Sequence, residues 1–514
     1  MAENWTIRKP QTVGKGGLIA CQNGLAAEAG AAALARGGNA MDAAVTTALT
    51  LSVVEPWLSG LGGGGFLLRA DGRDGSVDAL DFNVISSRHL DTASYRLMPG
   101  RDGDWFNWPQ VEGDRNLIGY DSICVPGAVA GLAEALERFG SISFAEALQP
   151  AIEHARRGLV LDWFTVLCLA IDAEGLHRFP ASSVLFLDNG RAPRVPEAGA
   201  QRTIAMPKKA LMLERLASHG ARDFYEGQIA ESLLADLEAG GSPIRTDDLR
   251  DYRPTWKTPL DIGWRGMTVH AMPGLSGGPT LADVLAELER TLPEKEPLSG
   301  RTALAFGRAI RRASEYRLKT LGHGSRGESC TTHISVVDRD GTMVSLTNTL
   351  LSRFGSKVVL PSTDLLMNNG MMWFDPRPGQ PNSIAAGVRP LANMCPIIAS
   401  NGNTPKLALG AAGGRQIMPA VAQILSWITV YGMSPEEALH APRIDASGVK
   451  LRISERARPD VAARLGEEFP VEIIPDTLYP VNFAIPSLVL RENGENIGMA
   501  HPYHPWAAVG AEGA

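Results

Sequence analysis

Cys330-Thr331-Thr332-His333-Ile334-Ser335-Val336-Val337-Asp338, then Arg339-Asp340-Gly341, then Thr342-Met343-Val344-Ser345-Leu346-Thr347-Asn348-Thr349: the reading of this chain turns on this stretch. From Thr331 to Asp338, Ile334 and Val336 fall on one side and His333 and Ser335 on the other, the period of a strand. The segment after Gly341 runs back with the same alternation, so the two make a hairpin. A two-residue Asp340-Gly341 turn would set Val336 opposite Ser345 and Ile334 opposite Thr347. A three-residue loop with Gly341 left-handed would pair Asp338 with Thr342 instead. Val336 then faces Val344, Ile334 faces Leu346, Ser335 faces Ser345, His333 faces Thr347 and Thr331 faces Thr349. The second register keeps apolar on apolar, and the pattern selects it.

A row of Thr, Ser and His along one face of a buried hairpin is costly unless those groups have partners. It is either an ordinary polar-faced hairpin or the seat of chemistry at Thr331. A threonine hydroxyl is a poor nucleophile until a base removes its proton. If the chain is cut before Thr331, the new α-amino group, with an unperturbed pKa of about 8, is such a base on the same residue. The preceding run, Gly322-His323-Gly324-Ser325-Arg326-Gly327-Glu328-Ser329-Cys330, reads as an accessible, glycine-broken linker suited to such a cut.

Downstream, Leu407-Ala408-Leu409-Gly410-Ala411-Ala412-Gly413-Gly414-Arg415-Gln416 reads as strand, glycine turn, then helix through Trp427. The turn at Gly413-Gly414 is either a close-packed corner or a pair of free backbone N–H groups converging on an anion. Upstream, 302–321 reads as a long helix, and 128–138, 144–156, 208–219 and 228–239 as further helices. Asn23 to Gly38 reads as an Ala-rich helix with Leu25, Ala29, Ala32 and Leu34 on one face. Asn39 caps a second helix to about Val54. Gly60-Leu61-Gly62-Gly63-Gly64-Gly65 then feeds the strand 66–69, which pairs with 77–82. No Lys-Ser/Thr follows these glycines, so a tight backbone approach fits them better than a phosphate loop. Gly274-Leu275-Ser276-Gly277-Gly278 matches a nucleophile elbow, flanked by a strand and a helix but also by Pro273 and Pro279.

The 514 residues suffice for two or three domains or for one large layered domain. A net charge of −7, with no basic run, argues against a nucleic-acid partner. No stretch reaches membrane-spanning length, and Met1 to Ala20 lacks the apolar core of a signal, so a cytoplasmic location is expected. The scattered Cys21, Cys124, Cys168, Cys330 and Cys395 suggest neither disulfides nor zinc, and the histidines form no ligand spacing, so no metal or other cofactor is expected.

Together the pieces resemble the gamma-glutamyltranspeptidase family of N-terminal nucleophile hydrolases. The motifs that carry this are Gly37-Gly38-Asn39-Ala40-Met41-Asp42-Ala43-Ala44, Glu55-Pro56 with Gly60 to Phe66, Pro126-Gly127 and Ser276-Gly277-Gly278. Beyond them come Thr331-Thr332-His333 to Asp338, Phe354-Gly355-Ser356-Lys357, Asn368-Asn369, Arg389-Pro390-Leu391 and Gly410 to Gly414. The resemblance retires the elbow reading. It implies an α+β fold, a four-layer αββα sandwich, from a proenzyme that cuts itself between Cys330 and Thr331. Chains 1–330 and 331–514 would stay folded as one domain. Thr331 would be nucleophile and α-amino base, Thr349 its support, and Gly413 and Gly414 the oxyanion hole. The substrate would be a small amide.

The departures concern the acyl pocket. Glutamyl-specific members carry an Arg for the α-carboxylate where Asn83 stands here, followed by Val84. Leu351 replaces a frequent Asn; Gly370 and Trp373 stand in place of Glu or Gln and of an Asp. Ala392-Asn393 replaces a Ser-Ser pair, and the loop from Pro381-Asn382 to Arg389 is short, so a lid is expected to be reduced or absent. A zwitterionic glutamyl head needs a cation and an anion. Their loss implies an acyl group other than ordinary γ-glutamyl, with Arg88 or Arg353 as the substitute cation if glutathione-like substrates are retained. A non-catalytic binding protein with the same fold is the remaining alternative.

Overall fold

The computed structural model describes residues 7–102, 108–195, 197–321 and 330–513; the expected processing linker, 322–329, lies outside the described residues. Two seven-stranded sheets stack face to face. One runs Ala508–Ala511, Leu18–Cys21, Cys330–Val337, Met343–Leu351, Gly64–Ala70, Val77–Asp81, Thr255–Lys257. The other runs Thr12–Gly14, Glu495–Ala500, Ile485–Glu492, Thr404–Ala412, Ile397–Asn401, Met267–Ala271, Leu260–Trp264. Both sheets combine strands from before and after residue 330, so a cut there would divide the chain but not the body.

Three apolar cores hold four layers together. Helices Gly24–Ala35 and Ala40–Val54 cover the first sheet, packing Leu34, Val45 and Leu49 with Ile334, Val336, Val344 and Leu346. Helices Gly278–Thr291, Gly300–Thr320 and Ile417–Thr429 cover the second, packing Leu285, Ile310 and Val421 against Leu407, Leu409 and Leu488. Between the sheets lie Leu68, Val337, Met343, Ile398, Ala408 and Val489. This is the αββα sandwich.

Asn39 caps its helix through a full capping box with Asp42, and Asn23 caps the preceding one. The face expected on that first helix is corrected. Of its four residues Ala29 and Leu34 are buried as expected, but Leu25 and Ala32 are exposed, and the buried face also takes in Ala26, Ala27, Gly30, Ala31 and Ala33. Small residues let this helix lie close to its neighbour, and that packing rather than the bulkier Leu25 sets its rotation. The glycine run serves close approach: a Cβ on Gly63 would sit 2.1 Å from the Thr349 carbonyl oxygen. Ser276 is buried and donates to the Met272 carbonyl at 2.6 Å, a loop-fixing role far from an exposed nucleophile.

Candidate active site

The hairpin adopts the three-residue loop, with Gly341 at φ 86° and Asp338 N–H donating to the Thr342 carbonyl at 3.1 Å. Val336 pairs with Val344, Ile334 with Leu346, Ser335 with Ser345 and His333 with Thr347, as the alternation requires. At the open end the register shifts. Cys330 pairs with Leu351 but Thr332 with Asn348, so Thr349 and Leu350 together oppose Thr331. A bulge of this kind re-aims side chains and recurs beside active sites. It leaves the Thr331 hydroxyl 3.3 Å from Thr349 Oγ1, donating to it, while Thr349 Oγ1 accepts the Leu351 N–H at 2.8 Å. Thr331 and Thr349 are both fully buried.

The polar row finds its partners on the facing sheet. Ser335 donates to the Ser487 carbonyl at 3.1 Å, Ser345 to the Leu409 carbonyl at 3.2 Å, and Ser487 to the His333 carbonyl at 3.3 Å. His333 bridges Thr347 at 3.0 Å and Ser335 at 2.9 Å. Burial lowers its pKa to about 3, so the ring is neutral at physiological pH.

The glycine turn comes to the same place. The strand Thr404–Ala412 delivers Gly413, at φ 133°, and Gly414, at φ 60°, to the start of helix Ile417–Thr429. Within the turn the Gly413 carbonyl accepts from Gln416 at 3.2 Å, and neither glycine N–H donates to another backbone group there. Thr331, Ala412 and Gly413 line one narrow cleft, partly open to solvent. Its other walls come from Trp57, Phe164, Phe483 and Ile485, with Arg353 and His504 also lining it. A hydroxyl with a supporting hydroxyl, beside the backbone N–H groups of a glycine turn between strand and helix, can attack a carbonyl and hold the resulting oxyanion.

The six residues expected to line an acyl pocket are only partly brought together. Leu351, Trp373 and Ala392 are buried in one apolar cluster with Val84, Cys124, Met371, Met372, Phe374 and Met394. At Gly370 a Cβ would meet Cys124 Sγ at 2.5 Å and Val84 at 2.8 Å, so the space of a larger residue is already filled. Leu351 sits at φ 82°, a left-handed conformation that suits Asn and costs a branched-chain residue about 1–2 kcal/mol. Asn83 is buried with its Nδ2 unpartnered, and so is Trp373 Nε1. Asn393 is half-buried, and Arg317 donates to the neighbouring Ala392 carbonyl at 2.7 Å. The 381–389 loop is tied down: Asn382 donates to the Trp373 carbonyl at 2.9 Å and accepts from Leu391 N–H at 3.0 Å.

Of the two substitute cations, Arg88 is half-exposed, paired with Asp251 at 2.7 Å, and outside the cleft lining. Arg353 does line the cleft, ion-paired with Asp172, which also holds Lys357 at 2.6 Å. Sequence reasoning saw Arg389 only as part of a motif. Its guanidinium donates to the Asn83 carbonyl and lies 3.3 Å from Asp81, which also binds Lys257 at 2.7 Å. Sequence reasoning missed His504, for no periodicity or motif marks that position. Glu55 was visible only as part of a motif. His89, Asp247 and Asp248 bring ligand-type atoms within 4.8 Å of one another, a trio that spacing did not reveal. They are engaged locally, Asp248 with Ser87 at 2.7 Å and Asp247 with His89 at 2.9 Å. No helix among the described residues is long and apolar enough to cross a membrane.

Comparison with known proteins agrees with this geometry. The family model described as gamma-glutamyltranspeptidase matches residues 26–325 and 309–500. An acylase ACY 1 proenzyme of Pseudomonas sp. (strain V22) is 30% identical, over 90% of this chain and 88% of its own. A glutathione hydrolase proenzyme of Bacillus subtilis (strain 168) is 28% identical, over 98% of this chain and 92% of its own. The crystal structure of a cephalosporin acylase from Bacillus halodurans has the same fold, with TM-score 0.82 at 23% identity, covering 99% of this chain and 98% of that one. A hairpin threonine and a glycine turn on one cleft, in a chain matched almost end to end, carry one conclusion: this protein belongs to the gamma-glutamyltranspeptidase family and is one of its hydrolases.

Proposed function

We propose that the chain cuts itself between Cys330 and Thr331, giving 1–330 and 331–514 as a processed heterodimer, and then hydrolyses a small amide whose acyl group is not ordinary γ-glutamyl. The Thr331 α-amino group takes the hydroxyl proton, and Oγ1 attacks the amide carbonyl carbon. The N–H groups of Gly413 and Gly414 meet the oxyanion. The C–N bond then breaks and the amine departs with the proton. Water, or a second amine, resolves the Thr331 ester and returns the hydroxyl. Thr349 orients the nucleophile, its own oxygen fixed by the Leu351 N–H.

The observation that supports the chemistry is the shared cleft of Thr331 and Gly413, with Thr349 Oγ1 3.3 Å from the Thr331 hydroxyl. The changed specificity rests on the apolar cluster around Leu351, Trp373 and Ala392. The test sets γ-glutamyl-p-nitroanilide beside simple acyl p-nitroanilides. Faster turnover of the simple acyl compounds is expected, and efficient glutamyl turnover overturns the specificity. That second outcome, a glutathione-type hydrolase, has Arg353 on the cleft wall in its favour. A cytoplasmic location belongs to the same proposal.

A further inference from the structure

His504 reaches the Thr331 cleft from the C-terminal segment although it is only 1% exposed. Its ring packs edge-on against Phe164, with centroids 5.2 Å apart. The Lys9 ammonium clamps the backbone behind it, donating to the His504 and Ala507 carbonyls at 2.5 and 2.7 Å. Nε2 lies 3.5 Å from Oε1 of Glu55, the residue that ends helix Ala40–Val54 and is fully buried. Glu55 also meets the Thr332 hydroxyl, whereas His504 Nδ1 has no hydrogen-bond partner among the described residues. A buried orphan of this kind ordinarily costs about 1–3 kcal/mol, so Nδ1 of a ring on the wall of the Thr331 cleft calls for a ligand.

The groups around the pair are Cys21, Thr332, His501 and Lys9. Burial lowers the His504 pKa to about 3 and holds the Glu55 carboxyl well above its usual range. The imidazole is therefore neutral near neutral pH, and burial disfavours the charged form of the carboxyl behind it. His504 is a neutral hydrogen-bonding group on a wall it shares with Trp57, Phe164 and Phe483. The expected glutamyl wall is packed with side chains, which leaves the cleft that Thr331 shares with Gly413 to receive the acyl group.

We propose that His504, held by Glu55, is a specificity-determining contact that hydrogen-bonds an uncharged polar group at the far end of an aromatic-sized, otherwise apolar acyl chain. This rests on the proposed amide hydrolysis at Thr331. The test compares p-nitroanilides of phenylacetic, 4-hydroxyphenylacetic and 4-carboxyphenylacetic acid. The wild-type protein should favour the hydroxy over the plain compound by at least about tenfold in kcat/KM, with the carboxy compound poorest. His504→Phe should compress the hydroxy-to-plain ratio to within about threefold, while Glu55→Gln, neutral and still hydrogen-bonding, should preserve most of it. Self-cleavage on a denaturing gel reports folding separately. A carboxy preference, or no hydroxy preference, in the wild-type protein overturns the inference without any variant. A ratio unmoved by His504→Phe overturns it too. If none of the three anilides is cut, the proposed function fails first and this inference with it.

Discussion

Thr349 and Leu351 stand two residues apart on one strand, and the surroundings of each show two ways of building a site. On the Thr349 face of the hairpin the polar row is bonded: the Thr349 oxygen accepts from Thr331 and Leu351, and Ser335 and Ser345 behind it donate to the facing sheet. Around Leu351 the wall is apolar packing, with Asn83 Nδ2 and Trp373 Nε1 left without partners. The first region is fixed by backbone, through a bulge, a glycine turn and strand pairing. The second is fixed by side-chain volume, which can change one residue at a time as long as the space stays filled.

This contrast is open to breaking. The largest expected effect is at the nucleophile. Thr331→Ala should leave the chain uncut at 54.9 kDa on a denaturing gel, and should lower kcat on any anilide by on the order of 10⁴-fold or more. A Thr331→Ala chain that still splits would remove it from the mechanism. Trp373→Ala should act oppositely, costing about 3–5 kcal/mol of stability in urea unfolding because it opens a cavity in the apolar cluster. If Trp373→Ala changed turnover without changing stability, the wall would be a working pocket rather than core.

Gly413→Ala should lower kcat by about 10²–10³-fold, the loss of one oxyanion donor. The substitution is strained at φ 133°, and its Cβ would fall 2.7 Å from Ala484 Cα. Comparing kcat with KM separates this from a binding defect. Thr349→Val removes the acceptor for Thr331 and Leu351 and should cost about 1–3 kcal/mol, read as slowed self-cleavage with a lowered unfolding midpoint.

A separate effect is the response to pH. His333 and His504, both lowered to about 3, bind fewer protons folded than unfolded below the ordinary histidine value of 6.5. Stability should therefore fall as pH drops from 6.5 towards 3, by about 1.4 kcal/mol per pH unit for each ring. Glu55, raised by burial, has the opposite sign: its contribution is present below the ordinary value of 4.5 and is lost as pH rises towards its folded value. Urea midpoints across pH 4 to 8 should rise to near 6.5, and Glu55→Gln should flatten any decline beyond it.

Much of this was legible in the residues. The alternation at Ile334, Val336, Val344 and Leu346 selected a register that the strand pairing reproduces through the body of the hairpin. Asn23, Asn39 and the Gly413-Gly414 turn marked helix starts where the structure has them. These are short-range features, because side-chain period, capping and turn chemistry act within a few residues. The helix face at Leu25 was misread, since an Ala-rich helix has almost no amphipathic signal and its neighbour sets its rotation.

The sequence by itself marked the candidate nucleophile and its partner strand, and placed other residue types where the family resemblance leads one to expect glutamyl binders. Tertiary structure alone decided the bulge at Thr331, and the facing sheet that satisfies Ser335 and Ser345. It also decided that Cys124 and Val84 fill the space at Gly370, and that Glu55 and His504, from opposite ends of the chain, meet behind Thr332. Such contacts depend on how whole layers pack, and close packing transmits every residue's volume to neighbours remote in sequence.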